Sequence, residues 1–450
     1  MTRIVPALHT ALALALAVAL PVAGAVDLPV AQRAALLADP ALASALANRD
    51  AAQENIAIAR SRLMPQVSLQ STMQQTNQTT DRGGLVQDFN GPSKNTQLSL
   101  RQAVYRRRDL AGLDIGKLQA LYGEHKVTSA QSELWNRTAL SWIDVLGAQA
   151  LRDIYASTLS SVSQSAEQER KRFEAGDGTR DSVAEAAAQL ALARAQLADT
   201  TIDLESKLRA FRLLTRLPVA GFDDFRLPGA IALGALPEAE DTLLDRILDT
   251  NAEVQQARVN EQIGERRLAQ SSADHWPTLD LVAGMNRAQN DSTNTLGVRY
   301  SNSQVGVQLV VPIYSGGGVA ASERQASAAY QAARSDTEFL IQRLRTQYLT
   351  DWRAQGALLE RAGAARELVE AALEQRRAAE FGIKAGVRTW ADRGSAELLR
   401  ARRESDLVTL TATLLKTQAR LLSLLPAGDP AWERWSQSLS QLARRPASGG

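Results

Sequence analysis

The chain has 450 residues, 51 Lys and Arg against 49 Asp and Glu, and no cysteine. A net charge of +2 over this length leaves no electrostatic footprint for nucleic acid, and the missing cysteine excludes disulfides, thiolate metal sites and a lipid-modified N-terminal Cys. Ala, Leu, Gln, Arg and Glu dominate and aromatic residues are only 5% of the chain, a balance that favours long helices over a compact mixed core.

Residues 1–25 read as an export signal. Arg3 supplies a positive start, Ala11–Leu20 is an apolar run too short to span a bilayer, and Ala23-Gly24-Ala25 is an A-x-A cleavage site. The mature chain is expected to begin at Val26. No later stretch approaches ~18 uninterrupted apolar residues, so no membrane-spanning helix is expected.

A helix is expected over Ala41–Arg62, stopped at Leu63-Met64-Pro65 because proline disfavours helical geometry in the residue before it. The period then changes from 3.6 to 2. Val67 and Leu69 alternate with polar residues, and after a polar, Gly-containing loop over Asn77–Ser93, Leu98, Leu100, Gln102 and Val104 alternate in the same way. This predicts strands at about 66–76 and 96–105. No proline occurs from Ser93 to Leu217, and a helix from Leu110 to Ala175 would be about 100 Å long. Trp135, Ala139, Trp142, Leu146, Ala150 and Ile154 recur along it at helical spacing. Gly176-Asp177-Gly178 breaks it, and Val183, Leu190, Leu197, Leu204 and Phe211 follow at sevenfold spacing, a coiled-coil seam. The reading over 110–214 is a long antiparallel helical hairpin with its tip near Gly176.

Residues 217–242 hold three Pro and three Gly and read as a linker. Beyond it the plan repeats: a helix over Leu243–Ala273, a stop at Trp276-Pro277, strands at about 278–286 and 303–314 around a polar loop over Gln289–Ser301, and a second proline-free helical hairpin with its tip near Gly386. Pro65 and Pro277, Tyr105 and Tyr314, and Gly176 and Gly386 lie 212, 209 and 210 residues apart in the same order. The chain therefore reads as two copies of one unit, 26–216 and 243–425, with a final segment over 426–450 whose tail from Arg444 is expected to be disordered.

Each copy has two strands long enough to cross a membrane. Backbone groups in lipid must be paired, so a membrane sheet must close, and four strands cannot close a barrel. Membrane strands therefore require an oligomer. A cyclic trimer supplies twelve strands, with the helical hairpins projecting from one rim about 100 Å into the periplasm as a tube. Tyr105, Trp276 and Tyr314 fall at strand ends, where a membrane-interface girdle would sit. Asp280, among alternating apolar residues, is expected to face the lumen because a charge facing lipid is expensive.

In these residues the chain resembles the TolC-like outer membrane efflux protein family. A Leu-x-Pro step precedes the first strand in RSRLMPQVSL, an apolar-aromatic step ends a strand in QAVY and VVPIY, and the hairpin tip carries RFEAG. The stretch GDGTRDSVAEAAAQLALARAQL is most similar to members that serve type I protein secretion. The resemblance implies a mainly α-helical trimer with a 12-stranded outer-membrane β-barrel and a periplasmic α-helical tunnel. It also implies an equatorial domain built from 217–242 and the stretch near Pro426–Leu442. The implied partners are outer membrane lipid, a periplasmic adaptor and an inner-membrane transporter, and the implied activity is passive conduction of protein, or alternatively of small toxic molecules.

The resemblance further implies that arginines and carboxylates near the tips lock the periplasmic entrance. Arg388 in GVRT matches the family arginine that follows the second-copy glycine, and Asp392 matches a family acid; the second family acid is Ser395 here. In the first copy Ser182 holds the acid position and Asp181 precedes it, while Arg393 is a positive charge without a family match. Threefold symmetry would make each a ring of three, focusing the field in a narrow opening. Asp181 also stands where a helix-cap acid would. Gly176 and Gly386 permit a tight turn and are expected to let an adaptor tip pack closely.

Catalysis, a metal and a cofactor are not expected. His9 lies in the signal, His125 and His275 are isolated with no paired spacing, and Gly316-Gly317-Gly318 lacks the Lys-Ser/Thr of a phosphate loop. Two readings of another class stand beside the duct. A periplasmic adaptor would carry one hairpin and no duplicated strand pairs. A soluble coiled-coil scaffold would carry no alternating strands.

Overall fold

The computed structural model of the chain describes residues 26–218, 222, 225–228, 234–290 and 299–444, so the export signal and the 445–450 tail lie outside the described residues. The first half runs α1 (Leu28–Ala38), α2 (Pro40–Ser61), β1 (Gln66–Arg82), β2 (Leu85–Tyr105), α3 (Arg107–Glu174) and α4 (Arg180–Thr215). The second runs α5 (Glu240–Thr250), α6 (Ala252–Ser272), β3 (Thr278–Asn290), β4 (Arg299–Val310), α7 (Gly318–Lys384) and α8 (Trp390–Ser423), and α9 (Pro430–Ala443) closes the chain. Among the described residues no helix is long and apolar enough to cross a membrane.

Three expectations change. The loop expected at Asn77–Ser93 is strand, so β1 and β2 run to 82 and from 85, meeting at a two-residue turn in which Gly83 and Gly84 both have positive φ. The Asp81 carboxylate accepts from the Gly84 N–H at 3.0 Å and fixes that turn. The second pair is shifted: β3 extends to Asn290 and β4 spans 299–310 rather than 303–314, leaving 291–298 outside the described residues. The single helix expected over 243–273 is two, because Asn251 breaks it. Its side chain accepts from the Glu253 and Val254 N–H groups as the cap of α6 and donates to the Leu424 carbonyl at 2.7 Å.

The strands form one antiparallel sheet in the order β1-β2-β3-β4. Partners across a ladder point to the same side, and the register separates the faces cleanly. One face carries Val67, Leu69, Leu98, Leu100, Leu281, Met285, Val305, Val307 and Leu309. The other carries Ser68, Gln70, Gln97, Ser99, Arg101, Asp280, Asn286, Gln304 and Gln308. Of the apolar set only Leu100 is half-buried; the rest are exposed. This inverts the pattern of a soluble sheet, in which the apolar face is covered.

The 68 residues of α3 rise about 100 Å. The 36-residue α4 pairs with only its tip half, together with α8; the half next to the sheet packs against α2 and α6. The expected hairpin over 110–214 is thus two different helix packings in series. At mid-height sits the main core, where Trp142, Phe211, Phe225, Tyr348, Trp432 and Trp435 are collected from α3, α4, α7, α9 and the linker. The indole of Trp142 donates to the Val26 carbonyl at 2.9 Å, and the Tyr348 hydroxyl, its pKa pushed far up by burial, donates to the Glu240 carbonyl at 2.8 Å.

Candidate functional site

At the two tips the backbone follows one design. Helices α3 and α7 end at Glu174 and Lys384, and Gly176 (φ 89°) and Gly386 (φ 74°) turn the chain through the left-handed region. Each glycine N–H returns to the ending helix, at Phe173 and Ile383, both at 3.0 Å. Thr179 and Thr389 cap the return helices: their hydroxyls accept from the Ser182 and Asp392 N–H groups at 3.2 and 3.1 Å.

The side chains then diverge. Asp392 completes a capping box, its carboxylate accepting from the Thr389 N–H at 2.8 Å, and it remains exposed. The aliphatic stem of Arg388 lies across Gly382, where an added Cβ would meet its Cγ at 2.8 Å, and the residue is exposed. Asp181 is exposed in the first turn of α4. Arg393 turns inward instead: its guanidinium donates to Ser165 Oγ at 2.8 Å and to the Ser161 carbonyl at 3.3 Å, and pairs with Glu380 at 3.4 Å. Arg393 is thus a strut between α3 and the second hairpin, while Arg388, Asp392 and Asp181 are left at the surface of the chain.

Sequence reading missed the group that joins the two tips. Glu169, 1% exposed, accepts from the Ser182 hydroxyl at 2.6 Å with one oxygen and from the Trp390 N–H with the other at 3.0 Å. One carboxylate thereby holds both return helices against α3. Beside it, Gln189 of α4 donates to the Ala391 carbonyl at 3.2 Å and to Ser395 Oγ at 2.8 Å. Buried Glu397 pairs with Arg400 at 2.7 Å; burial works against the Arg400 charge, but the bonds to Glu397 and Glu404 outweigh it and hold its pKa above the ordinary value.

The other end of the molecule has its own charged cluster. Asp280 on β3, 1% exposed, accepts from Arg106 and Arg101 at 2.5 and 2.9 Å on the polar face. It joins the two copies where strands give way to helices. Pro65 and Pro277 stand immediately before β1 and β3. Tyr105 ends β2 on the apolar face beside Leu279, and Trp276, before β3, lies under the Arg107 guanidinium at 4.3 Å. Tyr314 is four residues beyond the end of β4 rather than at it, and is 87% exposed.

An apolar-outside sheet joined to helices of this length is a barrel continued by a tunnel. The sequence model for outer membrane efflux proteins matches the chain twice, over residues 32–215 and 243–426. The chain belongs to that family. It is 27% identical over 307 residues to outer membrane protein TolC of Vibrio cholerae, covering 67% of this chain and 68% of that protein. It is 26% identical over 402 residues to the alkaline protease secretion protein AprF of Pseudomonas aeruginosa, covering 88% and 83%. The outer membrane protein VceC of Vibrio cholerae shares the fold, with a TM-score of 0.73 at 17% identity over 89% of this chain and 96% of that one.

This outer membrane efflux protein is a passive channel rather than an enzyme, with its barrel in the outer membrane and its helical tunnel in the periplasm. That orientation puts Gly176, Gly386 and the Glu169 contact at the periplasmic end, farthest from the sheet, and the Gly83-Gly84 turn outside the cell.

Proposed function

We propose that three copies of this efflux protein close one 12-stranded barrel and that the resulting duct exports protein in a type I secretion system, docked to a periplasmic adaptor and an inner-membrane transporter. The observation that carries the trimer is the open four-stranded sheet with its apolar face outward. Its edges, β1 and β4, still carry unpaired backbone groups, and lipid does not tolerate such edges. Protein cargo is supported by the match to AprF along most of both chains and by the stretch GDGTRDSVAEAAAQL after the first tip. In this reading Arg388, Asp392 and Asp181 of neighbouring protomers face one another at the entrance, Arg393 braces the wall behind them, and Gly176 and Gly386 receive the adaptor. Tyr105, Trp276 and Tyr314 mark the periplasmic membrane boundary.

Cargo is tested by deleting the gene and comparing secreted protein with retained dye. Loss of particular proteins from the medium with unchanged dye efflux is the expected result. Dye retention with an unchanged set of secreted proteins would assign the duct to multidrug efflux instead.

A further inference from the structure

The outward face of the sheet changes character along the strands. From the periplasmic end its rungs read Leu279 and Leu309; Gln102, Leu281 and Val307; Val67, Leu100, Ala283 and Val305; then Leu69, Leu98, Met285 and Ser303. The next rung is Ser71, Thr96, Arg287 and Ser301, and the one beyond it Met73, Lys94, Gln289 and Arg299. Three cations thus enter the face just where the apolar band stops. All three are exposed, and among the described residues none has a carboxylate partner. The nearest outward acid on the same strand as Lys94 is Asp88, six residues farther out and already bound by the Thr79 hydroxyl at 2.6 Å.

With strands about 4.8 Å apart, Lys94 and Arg299 stand about 10 Å from each other, and Arg287 sits one rung lower on the strand between them. At the periplasmic end of the same face no strand residue is charged. A cation facing hydrocarbon is costly, but at the headgroup boundary a long side chain reaches the polar layer. There its natural partner is a lipid phosphate, which arginine holds with two parallel hydrogen bonds and lysine as a point charge.

We propose that Lys94, Arg287 and Arg299 form a binding site for the phosphate groups of an anionic glycolipid headgroup in the outer leaflet of the outer membrane. The site ties each protomer to that leaflet at a fixed depth. It rests on the orientation of the barrel and on the strand register, and is independent of cargo.

The test is native mass spectrometry of the full-length oligomer released from nanodiscs of zwitterionic lipid doped with diphosphorylated lipid A or with its dephosphorylated form. The phosphorylated lipid is retained and the dephosphorylated one lost. At roughly tenfold in affinity for each 1.4 kcal/mol, and about 1 kcal/mol for each cation near the surface, the variant with Lys94→Gln, Arg287→Gln and Arg299→Gln loses about a hundredfold in retention. Gln289→Arg adds a fourth cation between Lys94 and Arg299 and tightens retention about fivefold, a gain that misfolding cannot mimic. Equal retention of the two lipids, or by wild type and the triple variant, would overturn the proposal. Displacement of the lipid by inorganic phosphate would reassign the site to a free anion and overturn it as well.

Discussion

One oxygen of Asp392 is already taken: the Thr389 N–H and hydroxyl both reach it, at 2.8 and 3.0 Å. Capping and charge can therefore be separated at this residue. Asp392→Asn keeps an acceptor for the cap but removes the charge; Asp392→Ala removes both and costs about 1 kcal/mol of helix stability. The expected outcome in planar bilayers is the same weakened cation preference in both variants, whereas unchanged selectivity in both would leave Asp392 as a cap. Among the described residues the Arg388 guanidinium has no ion-pair partner, and its stem lies over Gly382. Arg388→Ser should raise the resting conductance several-fold if the guanidinium closes the entrance, and an unchanged conductance would remove it from the gate. Glu169 does different work, because its two donors come from two hairpins. Glu169→Ala strands the Trp390 N–H at a cost of about 1–3 kcal/mol, while the Ser182 hydroxyl is released from α3 and keeps the Thr179 carbonyl as its acceptor, at 2.9 Å. Amide exchange near Ser182 and Trp390 should then accelerate together; acceleration at one tip alone would show that the carboxylate does not couple them.

At the scale of elements, the seam between the copies carries a buried charge. β2 of the first copy meets β3 of the second, and Asp280 is held there by Arg101 and Arg106 with almost no solvent contact. Asp280→Ala leaves Arg106 with Asp109 alone, at 3.6 Å, and because both guanidiniums reach solvent the cost is that of lost charged hydrogen bonds, about 1.5–3 kcal/mol. The oligomer should dissociate at a lower temperature on unboiled gels, and an unchanged dissociation temperature would mean the seam is held by backbone pairing alone. The same elements show what a sequence can disclose. The membrane-facing parts of the strands were readable because one side of each is apolar, as in Val305, Val307 and Leu309. The outer halves of β1 and β2 were not, because both their faces are polar and no period survives; the remaining signal was the Gly83-Gly84 turn. Asp280 was placed on the correct face, yet its partner Arg106 lies beyond the strand, at the helix cap, where alternation gives no register. Glu169 was within reach: Thr158, Val162 and Ser165 are buried at helical spacing, and continuing the stripe by four lands on it. Its partners were not, since a contact between return helices two hundred residues apart leaves no trace in local periodicity.

The whole molecule exposes 26980 Å². A compact chain of its mass would expose about 17,000 Å². The excess of about 10,000 Å² goes with an elongated chain whose longest helix rises about 100 Å. Leu190, Leu197 and Leu204, at sevenfold spacing, are only half-buried within one protomer, while Ala186, Ala193 and Phe211 are fully buried. Of the leucines, Leu204 packs against the main core of the same chain, in which Phe211, the next residue of the series, is buried. In the proposed trimer lipid covers the outward face of the sheet and neighbouring copies pair its edges. The native mass of the detergent-extracted protein tests this most directly. Three chains in one complex that needs detergent to stay in solution are expected. A monomer or dimer that stays soluble without detergent would contradict it, because four strands with an apolar outer face would then have no barrel to belong to.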